Sequence, residues 1–293
     1  MEKAWKDGRL FVDGVPICSL DDKAKNGARV VTIVHIHEQP VLDAKIKIIH
    51  NDSEMLVVDK PCSIPVCPSG RFHFNSLPLI LKHEHGFTDL HLMHRIDRMT
   101  SGIQMFSKRL ITSIPYWSHE WRKLVEKEYI ARVVGEFPAE VTCDAKILSI
   151  DRIIGIHTTS DHRFAKESRT EFKRISTDGR TSIVSCKPKT GRTHQIRVHL
   201  KHLGYPIIND PIYNNPIWDD VSHPSPFKRG RDLCKKFADV QHQNSSLHLH
   251  SSDVYDPFCQ QCSRQLIDPT PDKLRMDLHA WKYSSPNWSF ESE

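Results

Sequence analysis

The feature that most limits the fold of this chain is a period of two. Segment after segment alternates apolar with polar residues and then halts at Gly, Pro, Asn or Asp. "RLFVDGVPI" joins two apolar runs through Asp13-Gly14, a hairpin signal. "AKIKIIHNDSEMLVVDKP" predicts two strands around Asn51-Asp52-Ser53, the second ended by Pro61. "EKEYIARVVGEFP" puts Tyr129, Ala131 and Val133 on one side, Ile130 and Val134 on the other. "RTEFKRI" and "TSIVSCKP" flank the turn "STDGR", and alternation resumes between Lys273 and Ser292 with Leu274, Met276 and Leu278. "GARVVTIVHIHEQPV" carries Val30, Thr32, Val34 and Ile36 on one face and Val31, Ile33, His35 and His37 on the other, until Pro40. Short strands linked by tight turns, with few helices between, predict an α+β fold built on a mixed, mainly antiparallel sheet with flanking helices and loops.

Two segments change period. "SLPLILKHEHG" predicts a short helix stopped by Gly86. "THQIRVHLKHLGYP" places Ile196, Leu200 and Leu203 at i, i+4 and i+7, with Thr193 as the expected cap and Gly204 and Pro206 as the expected end. Prolines and charges from Asn214 to Cys234, including the start of "KRGRDLCKK", predict a surface insertion with a solvated basic face that can also meet phosphate. The net charge of +5 over 293 residues permits an anionic partner without demanding one. The start "MEKAWKDGRLFVDG" has no apolar secretory core, and no run reaches the length of a membrane span. Eight scattered cysteines in a chain this long point to a reducing compartment, with the cytoplasm expected and mitochondrion or nucleus left open.

Chemistry concentrates in three segments. "HRIDRMTSG" resembles a kinase catalytic loop only superficially: Ile96 intervenes, no Asn follows at the required distance, and neither G-x-G-x-x-G nor D-F-G occurs. Asp97 then has two readings, a turn-capping acid paired with Arg95 or Arg98, or a carboxylate held at the mouth of a sheet as nucleophile or base. In "KPKTGRTHQIRVHLKHLGYPIIND", packing around Ile196 and Leu200 fixes Arg197, which can then pair side-on with an Asp from another segment. Arg192, His194, His199 and Lys201 are expected to add positive charge near the helix start. Tyr129 alone reads as a core residue unless its strand borders the Asp97 loop.

In combination these segments resemble the RluA-type pseudouridine synthases. "HRIDRMTSG" resembles that family's H-R-L-D-x-x-T-S-G signature, "KEYIARVVG" its Lys-x-Tyr strand, and "TGRTHQIRVHLKHLGYPIINDPIY" its third motif. "NDSEMLVVDKPCSIPVCPSGRFHFNS" and "LRMDLHAWKYSSP" resemble the opening and closing of its catalytic domain, so the likeness runs in order through residues 45 to 285. Arg98 and the "CPSGRFHFNS" loop most resemble the eukaryotic tRNA-modifying branch. The resemblance implies RNA, with tRNA first, as partner, Asp97 as catalytic aspartate, Tyr129 as the ring that stacks on the uracil and as a candidate to help remove its C5 proton, and Arg197 as the group that holds Asp97 and keeps it ionised. It implies RNA or substrate contacts for Arg95, Ile196, Arg192, His194 and Lys60. The isomerisation gains no atom or electron, so no metal or cofactor is expected. The alternative class is a non-catalytic RNA-binding or RNA-folding protein on the same scaffold.

Three departures and two further segments complete the sequence reading. Ile96 replaces the usual Leu, Asn209 stands where Gly is usual, and Ser168 where Ala is usual. Residues 1–39 resemble the second half of an S4 RNA-binding module, which predicts a truncated accessory segment followed by a catalytic domain over 40–293. Cys259-Gln-Gln-Cys262 offers half of a zinc site, with Cys234, His242, His248 or His250 to complete it, although reduced thiols are the expectation.

Overall fold

The computed structural model describes residues 2–35, 37–110, 124–151, 155–218, 225–243, 256, 259, 262 and 269–293. Ile36, His248 and His250 lie outside the described residues, as does the side chain of His242. The chain divides into two compact units, one of residues 1–38 with 244–268, the other of residues 39–243 with 269–293. The smaller unit therefore includes a segment that the sequence reading gave to the catalytic domain.

The smaller unit opens with α1 (Glu2–Lys6) and a sheet of β1 (Leu10–Val12), β2 (Val15–Pro16) and β3 (Val30–Thr32), ordered β2-β1-β3. Asp13 and Gly14 take φ of 50° and 83°, the hairpin turn that Asp-Gly favours. The long strand expected through His37 stops at Thr32, because β1 offers partners only from Leu10 to Val12. Val30, Ile33 and Val34 consequently remain exposed.

In the larger unit, β4 (Lys47–Asn51) and β5 (Met55–Lys60) turn at Asp52, whose carboxylate accepts the N–H groups of Glu54 and Met55. Helix α2 (Leu77–His85) buries Leu77 and Leu81 and ends at Gly86 with φ 74°. The strands β6 (His91–Leu92), β7 (Ser101–Ser107), β8 (Glu126–Val134), β9 (Glu140–Cys143), β12 (Thr170–Thr177), β13 (Thr181–Pro188), β14 (Leu278–Ser285) and β15 (Trp288–Glu291) complete the main sheet. Among the described residues its order is β4-β5-β7-β14-β8-β13-β12-β9, with β15 on β14 and β6 on β7. Every pairing is antiparallel except β7 with β14. β10 (Ile147–Asp151) and β11 (Ile156–Thr159) form a separate hairpin.

The single helix predicted from "THQIRVHLKHLG" is α3 (Gln195–His202). Two apolar clusters enclose it. Ile196 and Leu200 pack with Ala131, Val133, Phe172 and Val184 of the sheet, while Val198 packs with Ile147, Tyr213, Trp218 and Leu233. The last part of the predicted surface insertion, from Pro226 to Cys234, belongs to α4 (Pro226–Gln243), which buries Leu233 and Phe237 and seats Gly230 against Ile150. Gly230, Leu233 and Phe237, spaced three and four apart, form an inward stripe that the surrounding lysines and arginines mask in the sequence.

One contact closes the centre of the sheet. Ser101 and Gly102 of β7 pair in parallel with His279 and Ala280 of β14. Gly102 sits at φ 103°, and a Cβ there would lie 2.3 Å from the Ala280 carbonyl oxygen. Only glycine allows this approach. Gly102→Ala is expected to lower the unfolding free energy by about 2–5 kcal/mol, overpacking adding to backbone strain. Urea denaturation checks this, and an unchanged midpoint would contradict the close approach.

Candidate active site

Immediately before Gly102, the chain from His94 to Thr100 is fixed from several directions. The buried His94 ring accepts the Met105 N–H at its Nε2 (3.1 Å), and Gln104 Nε2 donates to the His94 carbonyl (2.8 Å). Ile96 is buried in the core beside β5 and α2, so its replacement of Leu leaves the anchoring intact. The Thr100 N–H donates to the Asp97 carbonyl at 3.1 Å and closes the turn. Lys60 Nζ donates to the carbonyls of Pro61 (2.8 Å), Ile64 (2.9 Å) and Arg98 (3.1 Å). These bonds leave the Asp97 side chain 28% exposed.

Lys60 was expected to contact RNA. It has no exposed surface, so a direct contact is sterically closed, and its place is underneath the Asp97 loop. Burial pulls its ammonium down to about 7. Arg98, for which the sequence suggests no task, lies over the Phe72 ring at 5.2 Å.

The second wall begins at His194. Thr193 does not cap α3; His194 occupies the N-cap position in the left-handed conformation, φ 56°, without a capping side-chain bond. That turn brings His194 Nε2 to 3.8 Å from Asp97 Oδ2. Its Nδ1 lies 2.9 Å from the Tyr213 hydroxyl, which itself accepts the His157 N–H at 3.1 Å. With the tyrosine proton on the bond to His194 Nδ1, the neutral imidazole turns Nε2–H toward Asp97; the opposite tautomer would make the Tyr213 oxygen accept from both histidines. Burial lowers His194 to about 4, so it brings no positive charge to the site at neutral pH, contrary to expectation. His199 is likewise no surface cation: it is fully buried, its Nε2 donates to the Ala145 carbonyl (2.9 Å), and burial lowers its pKa.

Arg197 is 3% exposed, and its Nη1 lies 3.7 Å from Asp97 Oδ2. Its hydrogen bonds go elsewhere. Nε donates to Asp210 Oδ2 at 2.6 Å and Nη2 to Asp210 Oδ1 at 2.8 Å, the side-on geometry anticipated for an Asp partner but made with Asp210. Burial opposes the guanidinium's charge, yet attraction to Asp210 raises its pKa overall. Burial also pushes Asp210 upward, but Arg197 and the N–H groups of Ile212 and Tyr213 outweigh it and hold the carboxylate below its ordinary value.

The third component is Tyr129 on β8, which packs against both main apolar clusters. Its hydroxyl bonds that of Tyr283 on β14, and the two rings meet with centroids 5.9 Å apart. Burial raises the Tyr129 pKa. Asp97, Tyr129 and Arg197 line one cleft of about 1540 Å³, larger than a usual small-molecule pocket. Arg95, Arg192, His194 and Ile196 line it as well, as do Arg71, Lys127 and Lys189. Arg95 and Arg192 are exposed there, with Arg192 Nε donating to the Glu167 carbonyl at 3.0 Å.

The sequence reading missed Asp210, Tyr213 and Tyr283. A buried helical Arg requires a carboxylate close by, and Asp210 within "PIIND" was the nearest signal. Asn209, which stands where Gly is usual, is not among the positive-φ positions. It instead exchanges two bonds with Asp277, Nδ2 to Oδ1 at 3.0 Å and Asp277 N–H to Asn209 Oδ1 at 2.7 Å. The buried Ser168 hydroxyl bonds the Ala145 and Lys166 carbonyls at 3.0 and 3.1 Å, which accounts for a polar group in that place.

A mixed sheet carrying an Asp loop, a Tyr strand and an Arg helix around one cleft defines the class, and comparison with known proteins agrees. The RNA pseudouridylate synthase family model matches residues 54–202, just over half of the chain. The chain belongs to that family, in its RluA-type branch. Human "Pseudouridylate synthase RPUSD2" is 44% identical over 99% of this chain, which covers 65% of the relative. The Saccharomyces cerevisiae "tRNA pseudouridine(32) synthase, mitochondrial" is 38% identical over 89% of this chain and 59% of its own length. The chain thus spans less than two thirds of either relative. The structure of "Human RNA Pseudouridylate Synthase Domain Containing 1" matches with a TM-score of 0.54 at 20% identity, covering 87% of this chain and 84% of that one, a likeness of fold.

Two outcomes test the anchoring. Asp210→Asn is expected to destabilise the protein by about 3–5 kcal/mol, since it leaves a buried guanidinium uncompensated. Because the folded Asp210 pKa lies below the ordinary value, its contribution holds above about pH 4 and disappears as acid protonates the folded carboxylate. The variant's deficit should therefore shrink in urea titrations below that pH. For Lys60 the slope has the same sign in a higher window: between its folded value of about 7 and the unfolded 10.5, the unfolded chain binds the extra proton and stability rises with pH. Relative to Lys60→Met, wild type should gain about 2 kcal/mol from pH 7 to pH 9. A constant difference would refute the buried-lysine assignment.

Proposed function

We propose that the protein is an RNA pseudouridine synthase that isomerises uridine in RNA, with tRNA as the substrate class. The observation that carries this reading is the convergence of Asp97, Tyr129 and Arg197 from three distant segments on one cleft bordered by arginines and lysines. A pure RNA-binding surface has no need of a carboxylate facing the RNA's own phosphates. The tRNA assignment is supported by the name of the yeast relative. Eight cysteines outside any disulfide fit work in a reducing compartment, and the cytoplasm is the proposed location.

The target uridine is stacked within the RNA and must be turned out, which costs a few kcal/mol. Stacking on the Tyr129 ring offsets about 1–3 kcal/mol of that cost. Asp97 then either attacks C1′ or takes the C2′ proton, and the N1–C1′ bond breaks. The uracil turns and C5 joins C1′ as the carboxylate leaves C1′ or returns the proton to C2′. The C5 proton passes to water, and N1 takes one from water. Tyr129 serves this sequence as a neutral platform. Its raised pKa and the hydroxyl bond to Tyr283 disfavour a phenolate base. Arg197, immobilised by Asp210, holds a fixed positive charge beside Asp97. Arg95 and Arg192, exposed on the cleft, are assigned to the RNA backbone, and Ile196 to the pocket wall.

Incubating the full chain with RNA lacking pseudouridine, followed by carbodiimide-based mapping, tests the reading. Wild type is expected to create new pseudouridine at discrete sites, and Asp97→Asn to slow this by about 10³-fold or more with RNA affinity largely kept. RNA binding by both proteins with product from neither would favour the binding-module alternative.

A further inference from the structure

The smaller unit gathers a second set of reactive side chains that the cleft does not use. His35 and His37 follow β3, two residues apart, and their rings stack with centroids 4.7 Å apart and planes 8° from parallel. Cys262 meets them from a segment more than two hundred positions further along: His37 Nε2 lies 3.1 Å from its Sγ. One donor atom from each of His35, His37 and Cys262 falls within 4.8 Å of the other two. Cys259 lies beside the group, its Sγ donating to the His35 carbonyl oxygen at 3.8 Å. We propose that His35, His37, Cys259 and Cys262 form a structural zinc site.

Donor chemistry supports zinc. Two imidazoles and two thiolates are the borderline-soft, four-coordinate set that closes a structural zinc shell. Zn–S bonds of about 2.3 Å and Zn–N bonds of about 2.0–2.1 Å separate neighbouring donors by roughly 3.3–3.8 Å. The His37–Cys262 separation of 3.1 Å and the 4.8 Å span of His35, His37 and Cys262 bracket that range, and the Cys259 thiol turns from the His35 carbonyl to supply the fourth donor. A metal-free imidazole–thiol hydrogen bond accounts for His37 with Cys262, yet it leaves the parallel second imidazole and the second thiol without a reason to be there.

The surroundings are also those of a metal shell. His35 Nδ1 lies 3.7 Å from Asp256 Oδ2, which leaves Nε2 as the ligand atom and makes Asp256 the carboxylate that orients it. Arg9 clamps Asp256 through two bonds of 2.7 Å. The Asp256 N–H donates to Cys262 Sγ at 3.3 Å, a bond that favours thiolate. Among the described residues of this unit, only Leu10 and Cys262 are buried apolar side chains. A metal held by these four donors would tie His35 and His37 to Cys259 and Cys262, more than two hundred positions away in the chain. Of the partners suggested by the sequence, Cys234 packs against the larger unit's third apolar cluster, while His242, His248 and His250 fall outside the described side chains; the two histidines of this site come from the N-terminal segment.

The test uses the full-length chain, stripped with chelator, reloaded with zinc and freed of excess before metal counting. Wild type is expected to retain one zinc ion per chain. Cobalt in its place should show the visible bands of a tetrahedral ion with thiolate-to-cobalt charge transfer. His37→Ala and Cys262→Ser are expected to weaken zinc binding at least ten-fold, while Cys18→Ser, which removes an exposed thiol, keeps it. His37→Cys guards against a folding artefact, because it preserves four donors: zinc should stay and the charge-transfer intensity should rise. Wild type that retains no zinc overturns the site, as does full retention by His37→Ala and Cys262→Ser, or an unchanged cobalt spectrum in His37→Cys. No readout involves RNA, so the result is independent of the proposed activity.

Discussion

A guanidinium with 3% of its surface exposed cannot persist unless an anion is held beside it, and at Arg197 that anion is Asp210. The pair orders more than itself. Asp210 also accepts the N–H groups of Ile212 and Tyr213, and so fixes the turn that presents the Tyr213 ring beneath Arg197 at 4.9 Å. Tyr213 in turn holds the His194 ring through its Nδ1. Asp97 thus faces a guanidinium and an imidazole whose positions depend on Asp210, thirteen residues beyond Arg197. Arg197 is available to Asp97 because its own fork is already satisfied.

The opposite side of the cleft follows the same logic with different parts. Three carbonyls around Lys60, the His94 ring and the close approach at Gly102 remove freedom from the Asp97 loop without touching its carboxylate. Tyr129 is held through its oxygen by Tyr283, which leaves the ring as the useful surface. The three principal groups are each immobilised from behind, an arrangement suited to a reaction whose charges must be met by groups already in place.

Strands such as β8 and β12 were legible because they bury one face, so Ala131, Val133 and Phe172 advertise a period of two. The Asp97, Tyr129 and Arg197 segments were legible as motifs. What stayed hidden depended on contacts between distant segments. Nothing in "PIIND" distinguishes an exposed turn acid from one that neutralises a buried arginine, and nothing in "VVDKP" says that Lys60 points inward. The helix over 226–243 was obscured because surface lysines and arginines outnumber its inward residues, and Thr193 looked like a cap because local chemistry cannot foresee a left-handed histidine at the next position.

Strand β14 lies between β7, which follows the Asp97 loop, and β8, which carries Tyr129. In chain order it comes after β8, β12, β13 and the Arg197 helix. On a ribosome, then, the two walls of the cleft are made first and have no shared hydrogen-bonded border until the stretch from Leu278 to Ser285 emerges and slots between them. The nascent chain holds every reactive group yet lacks the spacing among them. Assembly of the site is deferred to one late, long-range pairing event, so synthesis of the reactive residues and creation of the reactive geometry are separated in time.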